Sequence, residues 1–267
     1  KVIDGVNWVG SVDWERQLFD ELIPLPDGTS YNAFLVSGSE KTALVDAVDP
    51  AKADEWHGLL DAAGIAQVDY IIANHAEQDH AGSIPYALAR FPESRVVCTP
   101  KAKGLLMDLL HVAEERIVTV ADGETLSLGD MTLEFLHAAW VHWPETMLTY
   151  LREKKVLFTC DLFGSHLATA ELFVADPATV YRPAKRYYAE IMMPFRSFIE
   201  KHLERLARYE ISIIAPSHGP LHADAAPIMD MYRNWVSGPL ANKVVVPYVS
   251  MHGSTRVMVD RLVGALA

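Results

Sequence analysis

Only two cysteines, Cys98 and Cys160, occur among 267 residues, far apart and outside any CxxC pairing. A disulfide framework is thereby excluded, and a reducing cytoplasm becomes the expected setting. Basic residues are outnumbered: 23 Lys and Arg against 35 Asp and Glu give a formal charge of −12. A surface of that sign repels phosphate backbones, so no nucleic-acid partner is expected; a basic protein or a neutral small substrate fits better. No apolar run approaches membrane-spanning length and no charged-then-apolar leader stands at the start, so no membrane association is expected. Internal repeats and low-complexity tracts are also missing.

What is present is a hydrophobic content of 50%, enough for one sizeable α/β core, and eleven histidines in an acidic chain. Residues 31–36 and 42–46 read as a hairpin around a Ser-Gly-Ser turn. Residues 51–63 read as a helix closed by Gly64, and 69–73 as a short apolar strand. A helix over 83–90, a strand over 95–98 and a helix over 101–110 follow. Residues 117–163 alternate strand and turn, with turn signals at Asp122-Gly123 and Leu128-Gly129-Asp130. Residues 179–209 are mostly helical with an interruption near Pro194, 211–215 form a buried strand, and 224–235 a helix. Strands and intervening helices in this order predict a layered α/β sandwich with mixed sheets. Ser237-Gly238-Pro239-Leu240 reads as a linker, after which 244–249 is a strand, 250–255 a polar turn and 256–266 a helix. One strand and one helix cannot build a core of their own.

The chemistry concentrates at strand ends. His75-Ala76-Glu77-Gln78-Asp79-His80 puts four metal-ligating side chains into six residues directly after the strand 69–73, at a carboxyl end where α/β sheets favour ligand sites. His142 stands between tryptophans in Trp140-Val141-His142-Trp143, Asp161 ends the apolar stretch 156–160, and His218 follows the strand 211–215. A single histidine after a strand is more often a hydrogen-bonded structural residue; the same placement recurring along one chain favours a metal centre. Tyr31, Trp140, Trp143, Met147 and Phe163 could line an apolar pocket beside it, though aromatic core packing explains them equally well. His166 is a candidate for orienting a ligand through a hydrogen bond, and Cys160 reads as a packed thiol. His57, His111, His137, His202 and His222 have no motif company and read as surface or structural residues.

The combination HxExDH, His142, Asp161 and His218 resembles the metallo-β-lactamase-type domain of the flavodiiron proteins. Further stretches carry the same resemblance: Tyr31-Asn32, residues 159–164 (Thr-Cys-Asp-Leu-Phe-Gly), 184–188 through 192–195, and 215–220 (Ala-Pro-Ser-His-Gly-Pro). It spans nearly the whole chain, residues 2–266. It implies an αββα sandwich over 1–238 holding two iron ions with a bridging oxo or hydroxo group. His75, Glu77 and His142 would serve one iron, Asp79, His80 and His218 the other, and Asp161 would bridge them. It implies binding and reduction of O2 to water or NO to N2O, with electrons from a flavin domain or an external donor protein, in a homodimer. Charge supports iron: two divalent ions carry +4 and Glu77, Asp79 and Asp161 supply −3, which a hydroxide would bring to neutrality. Glu77 stands where zinc hydrolases of this superfamily carry histidine, and mixed histidine–carboxylate sets suit iron. Two further readings stay open: an oxygen-binding sensor or carrier that acts through a signalling partner without turnover, and a dizinc hydrolase, which Glu77 disfavours.

Residues 239–267 resemble the start of a flavodoxin domain, with Ser250, Met251, His252, Gly253, Ser254 and Thr255 in the place of the loop that wraps the FMN phosphate. Because only one strand-loop-helix follows, the isoalloxazine would have no loops to stack against. The expectation is therefore a remnant rather than an FMN site.

Overall fold

The computed structural model describes residues 1–238 and 241–266. Short strands open the chain: β1 (Val6–Trp8), β2 (Ser11–Asp13), β3 (Leu18–Phe19), β4 (Ile23–Pro24), β5 (Thr29–Tyr31), β6 (Phe34–Ser37) and β7 (Thr42–Val45). Helix α1 (Ala53–Ala62) precedes β8 (Tyr70–Ile72); α2 (Gln78–Ala81) and α3 (Ile84–Arg90) lead to β9 (Arg95–Cys98) and α4 (Pro100–Leu110). Five strands follow: β10 (Ile117–Thr119), β11 (Thr125–Ser127), β12 (Thr132–His137), β13 (Met147–Leu151) and β14 (Val156–Cys160). Helices α5 (Pro177–Tyr187) and α6 (Arg196–Leu206), joined by a π turn over Tyr188–Met192 and a 3-10 turn over Met193–Phe195, precede β15 (Ile213–Pro216) and α7 (Ala226–Ser237). The last element is α8 (Ser254–Leu266).

While β2 pairs with β5 and β3 with β4 as two-stranded ribbons, two large sheets organise the other eleven strands. One has six in the order β1-β6-β7-β8-β9-β10, the other five in the order β11-β12-β13-β14-β15. The period-two alternation of each strand decides what lies where. In β7, Ala43 and Val45 join the core between the sheets while Leu44 faces the helices; in β8, Ile72 faces in and Ile71 out. The second sheet repeats this, with Val156, Phe158, Ile213 and Ala215 between the sheets and Leu157 and Ile214 towards its own helices. Each sheet is thus apolar on both faces and needs a helical layer outside. Trp56 and Leu60 of α1, Ile84 of α3 and Leu106 of α4 cover the first sheet; Val180 of α5, Ile199 and Leu203 of α6 and Tyr232 of α7 cover the second. Full burial of each such large side chain contributes about 1.5–3 kcal/mol. The result is the expected αββα sandwich.

Local signals agree. Asp49 accepts a hydrogen bond from the Ala51 N–H ahead of α1, and Thr99 Oγ1 accepts from Ala102 N at the start of α4. Several boundaries shift by a few residues from the sequence expectation: the strand expected over 31–36 is divided between β5 and β6, the helix expected over 51–63 is Ala53–Ala62, the strand expected over 211–215 is Ile213–Pro216, and the helix expected from 224 starts at Ala226.

The chain divides into two compact units, Lys1–Val236 and Ser237–Ala267. Ser237, expected in the linker, ends α7, while Pro239, Leu240 and Ala267 lie outside the described residues. In the second unit the strand expected over 244–249 does not form; those residues have no regular secondary structure. A strand is stable only when a neighbour takes up its ladder hydrogen bonds and one face is covered. Here Val244, Val245 and Val249 are 66, 79 and 84% exposed. The final helix forms as expected, with none of its residues buried.

Candidate metal centre

The loop after β8 is fixed before it reaches its first histidine. Asn74 N–H and Nδ2 donate to the two oxygens of Asp46, Thr149 Oγ1 donates to Asn74 Oδ1, and Met147 N–H donates to the Asn74 carbonyl. This network joins both sheets at the edge where the loop leaves. The loop around His218 is held likewise: Asn32 Nδ2 donates to the carbonyls of Pro216 and Gly219, and Trp8 Nε1 donates to Asn32 Oδ1. Gly219 has φ +79°, and a Cβ there would stand 2.1 Å from Ser165 Oγ, so only glycine fits. Asp161 sits between Cys160 and Phe163, both non-glycine residues with positive φ (49° and 70°). Such strain costs about 1–3 kcal/mol per residue and persists only where the surroundings over-determine it.

All seven sequence-expected ligand residues converge in two groups. In one, Glu77 Oε2 is 3.1 Å from His75 Nε2 and 3.2 Å from His142 Nε2, while Asp161 Oδ2 is 3.4 and 3.2 Å from the same two nitrogens. In the other, His80 Nε2 lies 3.3 Å from Asp79 Oδ1 and 3.0 Å from Asp161 Oδ1. His218 Nε2 lies 3.2 Å from Asp79 Oδ2 and 3.3 Å from Asp161 Oδ1. Asp161 therefore gives one oxygen to each group. The side chains of His75, His80, Asp161 and His218 are at most 1% exposed, whereas His142 and Glu77 keep 13 and 10%. The cleft reaches solvent on the Glu77–His142 side.

Both oxygens of Asp79, both of Asp161 and His80 Nε2 are buried without a hydrogen-bond partner. An orphaned buried carboxylate costs several kcal/mol, on the order of the desolvation penalty of a charge. The electrostatics point the same way. Burial depresses the basicity of His75, but hydrogen bonds to Glu145 and Glu77 and the charge of Asp161 outweigh it, leaving the imidazole well above its ordinary pKa. Burial acts likewise on His142 and His218, yet Asp161 with Glu77 raises the first to about 9, and Asp161 with Asp79 the second to about 10. Asp161 is opposed by its own burial, but the imidazoles of His80, His142 and His218 hold it well below the carboxylate range. The cluster thus demands positive charge, and metal cations would supply it while releasing those protons. Four imidazoles and three carboxylates, with orphaned oxygens facing one another, fit a pair of hard-to-borderline divalent ions.

A family model described as ODP family beta lactamase matches residues 29–219. Coenzyme F420H(2) oxidase of Methanothermobacter marburgensis is 37% identical over 269 residues, covering 97% of this chain and 66% of that protein. Nitric oxide reductase of Moorella thermoacetica is 36% identical over 272 residues, covering 99% and 68%. The solved rubredoxin oxygen:oxidoreductase from Desulfovibrio gigas superposes with a TM-score of 0.86 at 32% identity, over 100% of this chain and 68% of that one. The chain belongs to the flavodiiron protein family. The flavodiiron protein from Giardia intestinalis superposes at 0.85 with 33% identity, over 97% and 64% of the two chains. The chain spans about two thirds of the length of these relatives.

Around the cluster, the softer candidates fall at different distances. The Trp143 ring stands edge-on to His75 at 5.0 Å, and Tyr31 edge-on to His218 at 6.0 Å with its buried hydroxyl unpartnered. His166 lies 4.7 Å from the His218 ring, and its Nδ1 is 2.9 Å from Thr29 Oγ1. Met147 is buried between the sheets, and Phe163 packs on Tyr232 at 4.8 Å. Trp140 is 41% exposed and stacks on Phe195. Cys160 is buried and reduced, its thiol pushed up by burial. The loop 250–255 lies in the second unit, where Gly253 has φ +80° and Ser250 Oγ accepts from Arg256 N.

Two partners escaped the sequence reading. Glu145 Oε1 is 2.6 Å from His75 Nδ1 and accepts from Ala76 N at 3.1 Å; the Ser30 carbonyl is 2.7 Å from His218 Nδ1. The signal available for Glu145 was an acidic residue three after His142, since a metal-bound histidine needs an outer acceptor. Nothing in the sequence marks a backbone carbonyl.

Proposed function

We propose that the chain holds a non-haem di-iron centre that binds and reduces dioxygen to water, nitric oxide to N2O, or both, with electrons from a flavin domain or an external donor protein. The observation that carries this is the division of seven converging side chains, all but His142 and Glu77 fully enclosed, into two groups sharing Asp161, whose oxygens have no other partner. His75, Glu77 and His142 would hold one iron, Asp79, His80 and His218 the other, with Asp161 between them and an oxo or hydroxo bridge completing the set. Iron held by these residues would supply the electrons for reducing a diatomic. The rest is done by the protein. Glu77, Asp79 and Asp161 offset most of the ions' charge and favour the ferric state. The outer hydrogen bonds of His75 and His218 fix the tautomer that turns each Nε2 lone pair inward. Glu77 and His142, the least buried members of the cluster, form its side toward solvent, with the Trp143 ring edge-on to His75 beside them.

The relatives named as an F420H(2) oxidase, a nitric oxide reductase and a rubredoxin oxygen:oxidoreductase support this reading. It includes a metal domain over 1–238, a flavodoxin-like segment over 239–267, a homodimer, and a cytoplasmic setting in keeping with two free cysteines. Among the described residues no helix is long and apolar enough to cross a membrane.

Metal analysis tests the site: two irons per chain are expected, and two zincs would overturn the reading. Stopped-flow mixing of the ferrous protein with O2 or NO tests the activity. Rapid bleaching with repeated turnover by an added reductant is expected; a long-lived coloured adduct would replace reduction by sensing.

A further inference from the structure

The two halves of the cluster use the same inner donor types but not the same outer ones. His75 Nδ1 donates to Glu145 Oε1 at 2.6 Å, and that carboxylate is fully buried, with Oε2 left without a partner. His218 Nδ1 donates instead to the neutral Ser30 carbonyl at 2.7 Å. Glu145 is placed firmly: Ala76 N donates to the same Oε1, and Thr99 Oγ1 donates to the Glu145 carbonyl at 2.8 Å. Counted by half, the group of His75, Glu77 and His142 has one carboxylate in contact, half of Asp161, and a second full carboxylate behind His75. The group of Asp79, His80 and His218 has one carboxylate and the other half of Asp161 in contact; the further buried carboxylate whose charge acts on His80, that of Asp46, has both oxygens taken by Asn74 rather than by a ligating imidazole. A carboxylate behind a ligating imidazole makes it a stronger donor, and in a dry interior that charge is weakly screened.

We propose that Glu145 is a positioning residue that makes the two metal positions redox-unequal, so that the position at His75, Glu77 and His142 loses its electron first and the position at Asp79, His80 and His218 last. The inference rests on the di-iron reading above. In the first step a one-electron outer-sphere oxidant such as ferricyanide takes one electron from the diferrous protein and is itself reduced to ferrocyanide. The ferric charge stays at the position backed by Glu145. In the second step a further equivalent of oxidant takes one electron from the other position. Such an order keeps a ferrous ion on the Asp79–His80–His218 side until the end of the reaction.

The test is a mediated redox titration of the whole protein, followed by EPR of the half-oxidised state and Mössbauer spectroscopy, in the wild type, E145D and E145Q. Iron content is measured first. Fewer than two irons in the wild type would sink the di-iron reading itself, whereas two irons with the outcomes below judge the present proposal alone. In E145Q the first oxidation becomes harder by about tenfold in its equilibrium constant, about 59 mV for one electron. The second step moves less, so the steps draw together and less half-oxidised protein accumulates. E145D, which keeps the charge but retracts it by one methylene, shifts the first step in the same direction by less. If E145Q does not fold or fill with iron, the E145D titration decides alone. Equal displacement of both steps, or no displacement in a variant that retains two irons, overturns the proposal.

Discussion

The unit Lys1–Val236 and the unit Ser237–Ala267 are made of similar residues and come out differently. In the first, valines and isoleucines of β7, β8, β14 and β15 are covered on both faces, by the opposite sheet and by helices. In the second, Val244, Val245, Val249, Val257 and Val263 are all about half exposed or more, and no residue of α8 is buried. Apolar, β-branched residues become strands when a neighbour completes the ladder and the faces are covered. They do not do so through propensity alone. The same contrast governs chemistry. Burial gives the metal cluster its unscreened charges, whereas the loop 250–255 presents its polar groups to solvent.

The largest effect expected in the first unit comes from the residue both halves of the cluster share. Asp161→Asn removes the charge that His80, His142 and His218 all face. Iron content should fall to one per chain or less, with affinity down by more than about 100-fold, beyond the range of outer-partner mutations. Metal analysis after dialysis reads this directly; retention of two irons would mean that Asp161 does not bridge. Next comes packing. Leu44, wholly buried in the same core cluster as Trp56 and Leu60 of the helical layer, should cost about 2–5 kcal/mol when changed to alanine, measured by urea denaturation. A loss below about 1 kcal/mol would show that the helical layer does not depend on that contact.

A third difference is in pH response. His222 is 6% exposed, and its burial pulls the imidazole down from the ordinary 6.5 to about 4. Above pH 6.5 neither the folded nor the unfolded chain protonates it, so it leaves stability unchanged there. Between pH 6.5 and 4 the unfolded chain binds a proton that the folded one refuses, and stability falls with pH by up to about 3 kcal/mol. His222→Phe should flatten that part of the stability–pH curve relative to the wild type, all other titrating groups being common to both. Identical slopes would mean that His222 is charged in the fold.

What the sequence revealed follows the same division. Ligand types at close spacing after a buried strand, as in residues 75–80, are a local signal and were legible. So was the hairpin of β6 and β7, where alternation and turn lie within a few residues of each other. The layering was legible because strands and intervening helices alternate along the chain, an order that places helices over mixed sheets. Glu145 was not, because its partner His75 lies 70 residues away and the contact depends on how the sheets stack. The strand expected over 244–249 failed for the complementary reason: its alternation is a local pattern, and among the described residues no strand pairs with it.

The smallest expected effect sharpens this lesson. Val249 is 84% exposed, so replacing it by serine removes little surface from contact, and no hydrogen bond of a sheet depends on it. Surface substitutions away from caps and strain stay within about 0.5 kcal/mol, and a change of about that size moves Tm by roughly 1–2 °C in a chain this long. Val249→Ser should therefore leave the melting curve and the iron content of the whole chain unchanged within those bounds. The chemically identical change Val45→Ser, in β7 between the sheets, should cost several times more, because it both empties apolar volume and buries a hydroxyl. If the two variants melted alike, burial would not be what separates the two units, and the contrast would have to be sought in the unfolded chain.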